Sequence, residues 1–416
     1  MNPISLSVAR RALAWLVLSS GGALAASSAH TGELLFGLFW VVLAAALLGT
    51  LASKVGIPAV VGQVLAGILI GPSLLNLVRP GDFFLTLAEL GAIFLLFMVG
   101  LETRFKELLA VGREALLVAV LGIALPLGLG FGFGLWQGQG NVSALFVGTA
   151  LVATSVGITA KVLQELGVLD ARFAQVILGA AVIDDILGLT LLAVVSSLGA
   201  GRTLSAVQVG LTLALSVGFV ALVLAVGIPL VRRFQNRLSN LSLSRAFNVA
   251  VVVGLGIAAL STVAGLAPII GAFLAGMVLA EIKDEVEFES KVHAIEAFLA
   301  PVFFVVVGLQ LDVGALSQPT VIVAGLILTV LAVAGKLLGG ILGAWSLGRH
   351  EATLVGLGMV PRGEVGLIVA SLGLGVGIIG ERVYAEVLLM VLLTTVLAPL
   401  VLRAVMRRRV PARVLH

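Results

Sequence analysis

Ala174-Gln175-Val176-Ile177-Leu178-Gly179-Ala180-Ala181-Val182-Ile183-Asp184-Asp185-Ile186-Leu187-Gly188-Leu189-Thr190-Leu191-Leu192-Ala193-Val194-Val195-Ser196-Ser197-Leu198 is an apolar run with two adjacent carboxylates near its centre. Its length meets the ~20 residues a helix needs to cross the hydrocarbon layer of a bilayer. Asp184 and Asp185 lie about eleven residues in, roughly 16 Å from the start at 1.5 Å per residue. A charge at that depth costs about 2.5 to 3.5 kcal/mol on insertion scales, so it persists only where it has a partner or a task.

The rest of the chain agrees with a membrane setting. Of 416 residues, 60% are hydrophobic and only 11% are charged, against roughly a quarter charged in an average soluble domain. The absence of cysteine rules out disulfides, thiolate metal sites and thiol redox chemistry. The net charge of +4 is small, and the basic residues fall between apolar segments rather than on one folded face, which argues against nucleic acid as a partner. No phosphate-binding loop of the Walker type is present. Gly375-Val376-Gly377-Ile378-Ile379-Gly380 spells a dinucleotide fingerprint, but it ends an apolar segment with no strand before it. Work done by such a chain must draw on an ion gradient. His30, His293, His350 and His416 all fall in loops or the tail, which leaves carboxylates to carry any proton within the membrane.

Residues 1–30, with Arg10 and Arg11 ahead of a short apolar run and then small residues, read as a cleavable signal peptide. Thirteen apolar segments follow: Leu34 to Ala52, Ile57 to Leu77, Phe84 to Leu101, Ala115 to Trp136, Val142 to Ala160, Ala174 to Leu198, Ser205 to Val231, Ala246 to Ala264, Ala267 to Ile282, Val292 to Leu311, Thr320 to Leu347, Thr353 to Ile379 and Val383 to Met406. The expected fold is therefore an all-α polytopic membrane protein with about 13 transmembrane helices. Seventeen loop and tail lysines and arginines, from Lys54 to Arg413, fall on one side, and Arg79, Arg202 and Arg382 on the other. The positive-inside rule puts the first side, with the C-terminus, in the cytoplasm. Glu281 to Glu296 reads as a cytoplasmic interfacial segment. The stripe Gly335, Gly339, Gly343 and the glycines Gly62, Gly67 and Gly71 read as sites of close helix packing.

Lys336 is the third charge at mid-depth, too far from either end of its segment to snorkel out. Adjacent helical residues project about 100° apart. One aspartate can therefore pair with Lys336 while the other faces a wet cavity. Neighbouring carboxylates resist joint ionisation, which raises at least one apparent pKa towards cellular pH. Such a group holds a proton or a small hard cation, and the two compete. Two segments are interrupted. Thr154-Ser155-Val156-Gly157-Ile158-Thr159 sets hydroxyls and a glycine in mid-helix, and Pro361-Arg362-Gly363-Glu364 breaks the twelfth segment about 207 residues later. They are the middle members of two matching triplets offset by seven segments, so the two halves form inverted-topology repeats with two interrupted crossing helices. Asp184, Lys336, Arg362 or Glu364 is expected to compensate the exposed helix ends.

These motifs, with Leu65-Ala66-Gly67 through Gly71-Pro72, Phe94 to Glu102, Ile183-Asp184-Asp185 and Gly335-Lys336, resemble those of bacterial sodium/proton antiporters of the NapA type, in the monovalent cation:proton antiporter superfamily, from about Gly32 to Leu402. The resemblance implies that Asp185 is the main ion and proton carrier, that Asp184 bridges to Lys336 until sodium binds, and that Thr154 and Ser155 line the ion site with the two aspartates. Arg362 and Glu364 match the supporting charges at the second crossover. It also implies a homodimer in the bacterial inner membrane, with scaffold helices in 31–114 and 232–311, core helices in 115–204 and 312–406 that move as an elevator, a linker helix in 205–231 and a basic tail in 407–416.

The expected activity is electrogenic export of Na+ or Li+ against H+, a secondary active transport serving pH homeostasis, with no cofactor and no enzyme chemistry. A potassium/proton antiporter of the same fold is the nearest alternative, although related potassium-efflux systems usually carry Gln before the Asp. An intramembrane aspartyl protease would set its two aspartates on different helices. A passive channel would show no saturable, counter-ion-coupled flux.

Overall fold

The structure is a computed structural model that describes residues 31–199, 206–283, 286, 288–311, 314 and 318–407. The expected signal peptide and nearly all of the basic tail lie outside the described residues. In chain order the α-helices are α1 (Thr31–Lys54), α2 (Ala59–Ile70), α3 (Asp82–Leu101), α4 (Phe105–Ala110), α5 (Gly112–Trp136), α6 (Asn141–Val152), α7 (Val156–Glu165), α8 (Arg172–Gly199), α9 (Ala206–Ser239), α10 (Leu243–Val263), α11 (Pro268–Ala280), α12 (Glu289–Leu309), α13 (Pro319–Gly343), α14 (Arg349–Gly358), α15 (Glu364–Gly375) and α16 (Glu381–Arg407). No strand occurs among the described residues. Ten helical segments there are long and apolar enough to cross a membrane, with α6 and α7 counted as one run. Shorter apolar helices occur at α2, α11 and α15.

Local chemistry sets several helix limits. Pro58 caps α2, and Gly71-Pro72 ends it after 12 residues, because Pro72 has no N–H to donate and Gly71 is extended. The expected segment Ile57 to Leu77 is thus shorter as a helix. Its remainder folds back, with the N–H groups of Leu77 and Val78 donating to Ile70 O and with Asn76 at a φ of 49°. Pro268 occupies the start of α11, where the missing donor costs nothing.

The helices pack in two groups. In one, α3 lies on α11 and α12, α2 on α12, and α10 on α11. In the other, α13 lies on α5, α14 and α16, and α5 lies on α6 and α8. Helices α7 and α9 touch members of both. Glycines make the closest crossings. A Cβ on Gly100 of α3 would overlap the Phe273 carbonyl and lie 3.0 Å from Gly276 Cα on α11, and one on Gly276 would overlap Phe97 O. Gly67 of α2 and Gly308 of α12 meet in the same way. Gly276 follows Gly67 by 209 positions and Gly308 follows Gly100 by 208, so one kind of contact is made twice at nearly one offset. In the second group, Gly335, Gly339 and Gly343 bring α13 onto the α5 backbone at Pro126, Gly122 and Val118.

Polar contacts between distant segments sort the helix ends into two sets. Lys161 meets Glu296, Arg232 meets Glu281, Lys291 meets Ser244 and Glu114 meets Ser346, all near ends that the sequence places on the basic-rich side. At the opposite end Gln137 and Arg382 both donate to Glu386. One sequence expectation is corrected here. Glu281 to Glu296 is not one interfacial stretch, because α12 begins at Glu289 and Glu296, about two turns in, is fully buried against Lys161 at 2.7 Å.

Overpacking a glycine crossing forces the helices apart at a cost of about 1 to 3 kcal/mol. Gly276→Val is therefore expected to lower the melting temperature in detergent by several degrees. Gly256→Val, where an added Cβ meets nothing within 4 Å, is expected to leave it near wild type. Equal melting temperatures for the two variants would contradict the packing described.

Candidate functional site

The site forms where the second helix group meets α3 and α11. Residue 336 neighbours the glycine stripe on α13, so the close approach of α13 to α5 carries Lys336 past Gly122 towards α8. An added Cβ on Gly122 would sit 3.5 Å from Lys336 Nζ, an ordinary van der Waals contact, so the lysine stem runs directly against α5 at this point. Nζ donates to both carboxylate oxygens of Asp184, at 2.9 and 3.0 Å. Lys336 is 0% and Asp184 2% exposed, so the pair is shut off from solvent screening. The 100° step along α8 points Asp185 elsewhere. It lines a cavity of about 10 Å³ with Leu96, Val156, Leu178, Val182, Ile269, Ile270 and Phe273, close to the room one water needs. Leu96 of α3 and Ile269, Ile270 and Phe273 of α11 form one wall, and residues of α7 and α8 form the other.

Two broken helices cross beside this pair. The helical run from Asn141 to Glu165 opens at Ala153-Thr154-Ser155, and the run from Arg349 to Gly375 opens at Met359 to Gly363. The breaks are joined backbone to backbone, with Ser155 N–H donating to Pro361 O at 2.9 Å. Thr159 Oγ1 donates to Gly358 O at 2.6 Å and ties the flanking turns. Gly363 is required at the contact, since a Cβ there would fall 2.6 Å from Ser155 Oγ. Thr154 and Ser155 are 4% and 1% exposed. Ser155 Oγ has no hydrogen-bond partner among the described residues, an orphaned hydroxyl beside the helix break.

Opening a helix inside a membrane leaves carbonyls and N–H groups unpaired, and these need partners. Arg362 supplies them at the end of α14. It is fully buried, and its Nη1 donates to Met359 O at 3.2 Å and Val360 O at 2.9 Å while Nη2 reaches Ala332 O of α13 at 3.3 Å. A cation at a helix C-terminus also meets the partial negative charge there. Thr395 of α16 donates to the Arg362 carbonyl and fixes the loop from behind. Glu364 is the first residue of α15. Lys336, Arg362 and Asp184 act on one another electrostatically.

The structure thus brings Asp184 to Lys336, sets Asp185 on a cavity wall next to the start of α7, and joins Thr154, Ser155 and Arg362 in one crossover. Thr395 was missed by the sequence reading. A polar pair, Thr394-Thr395, in an otherwise apolar segment was its only signal. Glu296 was also missed, because its spacing from Lys283 to Lys291 looks like ordinary loop charge.

Removing the Arg362 fork strands two buried carbonyls, those of Met359 and Val360, at about 1 to 3 kcal/mol for each group left unsatisfied. Arg362→Leu is expected to cause a large drop in melting temperature in detergent, and Arg362→Lys, which keeps charge but not the fork, a smaller one. A wild-type melting curve for Arg362→Leu would show that the guanidinium does not hold the broken helix end.

Comparison with known proteins bears on this geometry. Residues 42–408 match the family model described as sodium/hydrogen exchanger, transmembrane. The chain is 36% identical over 377 residues to the Na(+)/H(+)-K(+) antiporter GerN of Bacillus cereus, covering 89% of this chain and 96% of that one. It is 35% identical over 373 residues to a Na(+)/H(+) antiporter of Enterococcus hirae, covering 88% and 97%. Against the high-affinity Na(+)/H(+) antiporter NhaS3 of Synechocystis it is 33% identical over 418 residues, covering 89% of each. The fold is similar to that of the sodium proton antiporter MjNhaP1 from Methanocaldococcus jannaschii, with a TM-score of 0.66 at 20% identity over 89% of this chain and 97% of the other. With a family match across most of its length, and with a buried Asp-Lys pair beside two crossed, broken helices, the chain belongs to the sodium/hydrogen exchanger family.

Proposed function

We propose that this protein exchanges sodium for protons across the bacterial inner membrane by alternating access. The observation that carries the reading is the buried Asp184–Lys336 pair with Asp185 one step away on a small cavity. In the proton-loaded state Asp184 is neutralised by Lys336, and Asp185 holds a proton. A sodium ion entering the cavity takes oxygen ligands from Asp185, from Asp184 and from Thr154 and Ser155 at the crossover. Hard cations favour such donors. The ion displaces the Asp185 proton. Once the cation claims Asp184, Lys336 is a buried ammonium without its counter-charge, a state costly enough that it gives up its proton too. More than one proton then leaves for each sodium bound, and the exchange is electrogenic.

The division of the helices supports the rest of the proposal. The Asp185 cavity lies between α3 and α11 on one side and α7 and α8 on the other. A core built on α5 to α8 and α13 to α16 can therefore carry the ion past a scaffold built on α2, α3 and α10 to α12. The 208- and 209-residue recurrence of the glycine contacts supports inverted repeats. Dimer formation through the scaffold completes the arrangement, with the basic-rich ends and the C-terminus in the cytoplasm.

In proteoliposomes, sodium or lithium added outside is expected to drive proton movement that saturates. Asp185→Asn is expected to abolish it, and sodium-dependent proton flux retained by that variant would refute the carrier role. Lys336→Gln is expected to remove the voltage dependence of exchange, and unchanged electrogenicity would refute the ion-pair role. The printed name of the GerN relative includes potassium, so a potassium arm of the same assay decides between sodium selectivity and a broader exchange.

A further inference from the structure

Outside the ion site, another charged pair crosses between the two helix groups. Lys161 lies on α7, about 7.5 Å along the helix from Val156 at 1.5 Å per residue. Its Nζ donates to Glu296 Oε1 of α12 at 2.7 Å and to Gln164 Oε1 at 3.0 Å. Glu296 is 0% and Lys161 16% exposed, so this is not a solvated surface pair. His293, which the sequence places in a loop, lies in α12 and brings Nδ1 to 3.3 Å from Glu296 Oε2. Two weaker links flank the pair. Gln164 Nε2 donates to Glu102 Oε1 at the end of α3, at 3.2 Å, and the Ala59 N–H at the start of α2 donates to Glu165 Oε2 at 3.2 Å. Burial pushes the Glu102 carboxyl up from its ordinary range, which makes this a desolvated junction.

One face of α7 is therefore tied to α12, α3 and α2, all at the basic-rich end. The first residue of α7, Val156, lines the Asp185 cavity. A path from the cytoplasm to that cavity along α7 passes these links.

We propose that Lys161 and Glu296 form a cytoplasmic latch, which keeps the cytoplasmic route to Asp185 closed and separates each time that side opens. The proposal rests on the alternating-access exchange argued above. Its physical basis is the burial of Glu296. The pair cannot part while the interface stays dry, since that would leave an unpaired carboxylate inside the protein. Separation of the pair and entry of water are one event, and the strength of the pair sets how often the protein opens inward.

The chain contains no cysteine, so a single introduced thiol reports without background. Val156→Cys puts one on the cavity wall, and a small charged methanethiosulfonate applied to inside-out vesicles reads its access from the cytoplasm. In that background, Lys161→Met with Glu296→Gln is expected to raise the labelling rate about tenfold, the factor for a 1.4 kcal/mol bias in a two-state equilibrium. The charge swap Lys161→Glu with Glu296→Lys is expected to bring the rate back towards that of the intact pair. Labelling unchanged in the neutral variant, or a swap that labels as fast as the neutral variant, would overturn the latch. As a second measurement, Lys161→Cys with Glu296→Cys, joined by a short thiol cross-linker that a reductant cleaves, is expected to lose exchange and regain it on reduction. Full exchange in the cross-linked protein would overturn the latch as well. Sodium-driven proton flux through the cysteine-free chain reports separately on the exchange reading.

Discussion

The structure turns on one ion pair held in a place where ions are expensive. Lys336 and Asp184 are almost fully buried and bonded at 2.9 and 3.0 Å. Burying two charges costs several kcal/mol for each ion, which only close pairing offsets. The surrounding architecture supplies that geometry. The glycine stripe on α13 seats it against α5, the lysine stem runs along α5 at Gly122, and α8 presents Asp184 at the matching height. A pair stabilised only by each partner's charge is also one that a third charge can break, which makes it suitable for exchange as well as for support.

The crossed helices beside it follow the same logic. Breaking α6 from α7 and α14 from α15 frees backbone groups in mid-protein, and four of them have specific partners. Ser155 N–H uses Pro361 O, the carbonyls of Met359 and Val360 use Arg362, and the Arg362 carbonyl uses Thr395. Ser155 Oγ is left without a partner among the described residues.

Much of this was legible because charge is scarce in the sequence. Asp184, Asp185 and Lys336 stood out in apolar runs whose length fixed their depth, and the 100° step along a helix already separated the two aspartates into a paired and a cavity-facing one. Pro361 and the Thr154–Ser155 pair marked the helix breaks through ordinary backbone chemistry. The limits of the reading were physical too. Apolar composition alone did not show that α2 stops at Ile70, since Leu74, Leu75 and Leu77 continue the hydrophobic pattern beyond Gly71-Pro72. Glu296 looked like one more loop carboxylate, because burial at a helix end depends on a residue 135 positions away. The choice of Arg362 over the other charges at the second crossover depended on where α14 ends.

The central claim is that sodium and protons compete for one mid-membrane site built on Asp184, Asp185 and Lys336. It is tested most directly by counting the protons released when sodium binds the purified protein, by calorimetry in buffers of different ionisation enthalpy. The account predicts release of more than one proton per sodium, falling when Lys336 is replaced by glutamine. Sodium binding without proton release would contradict it.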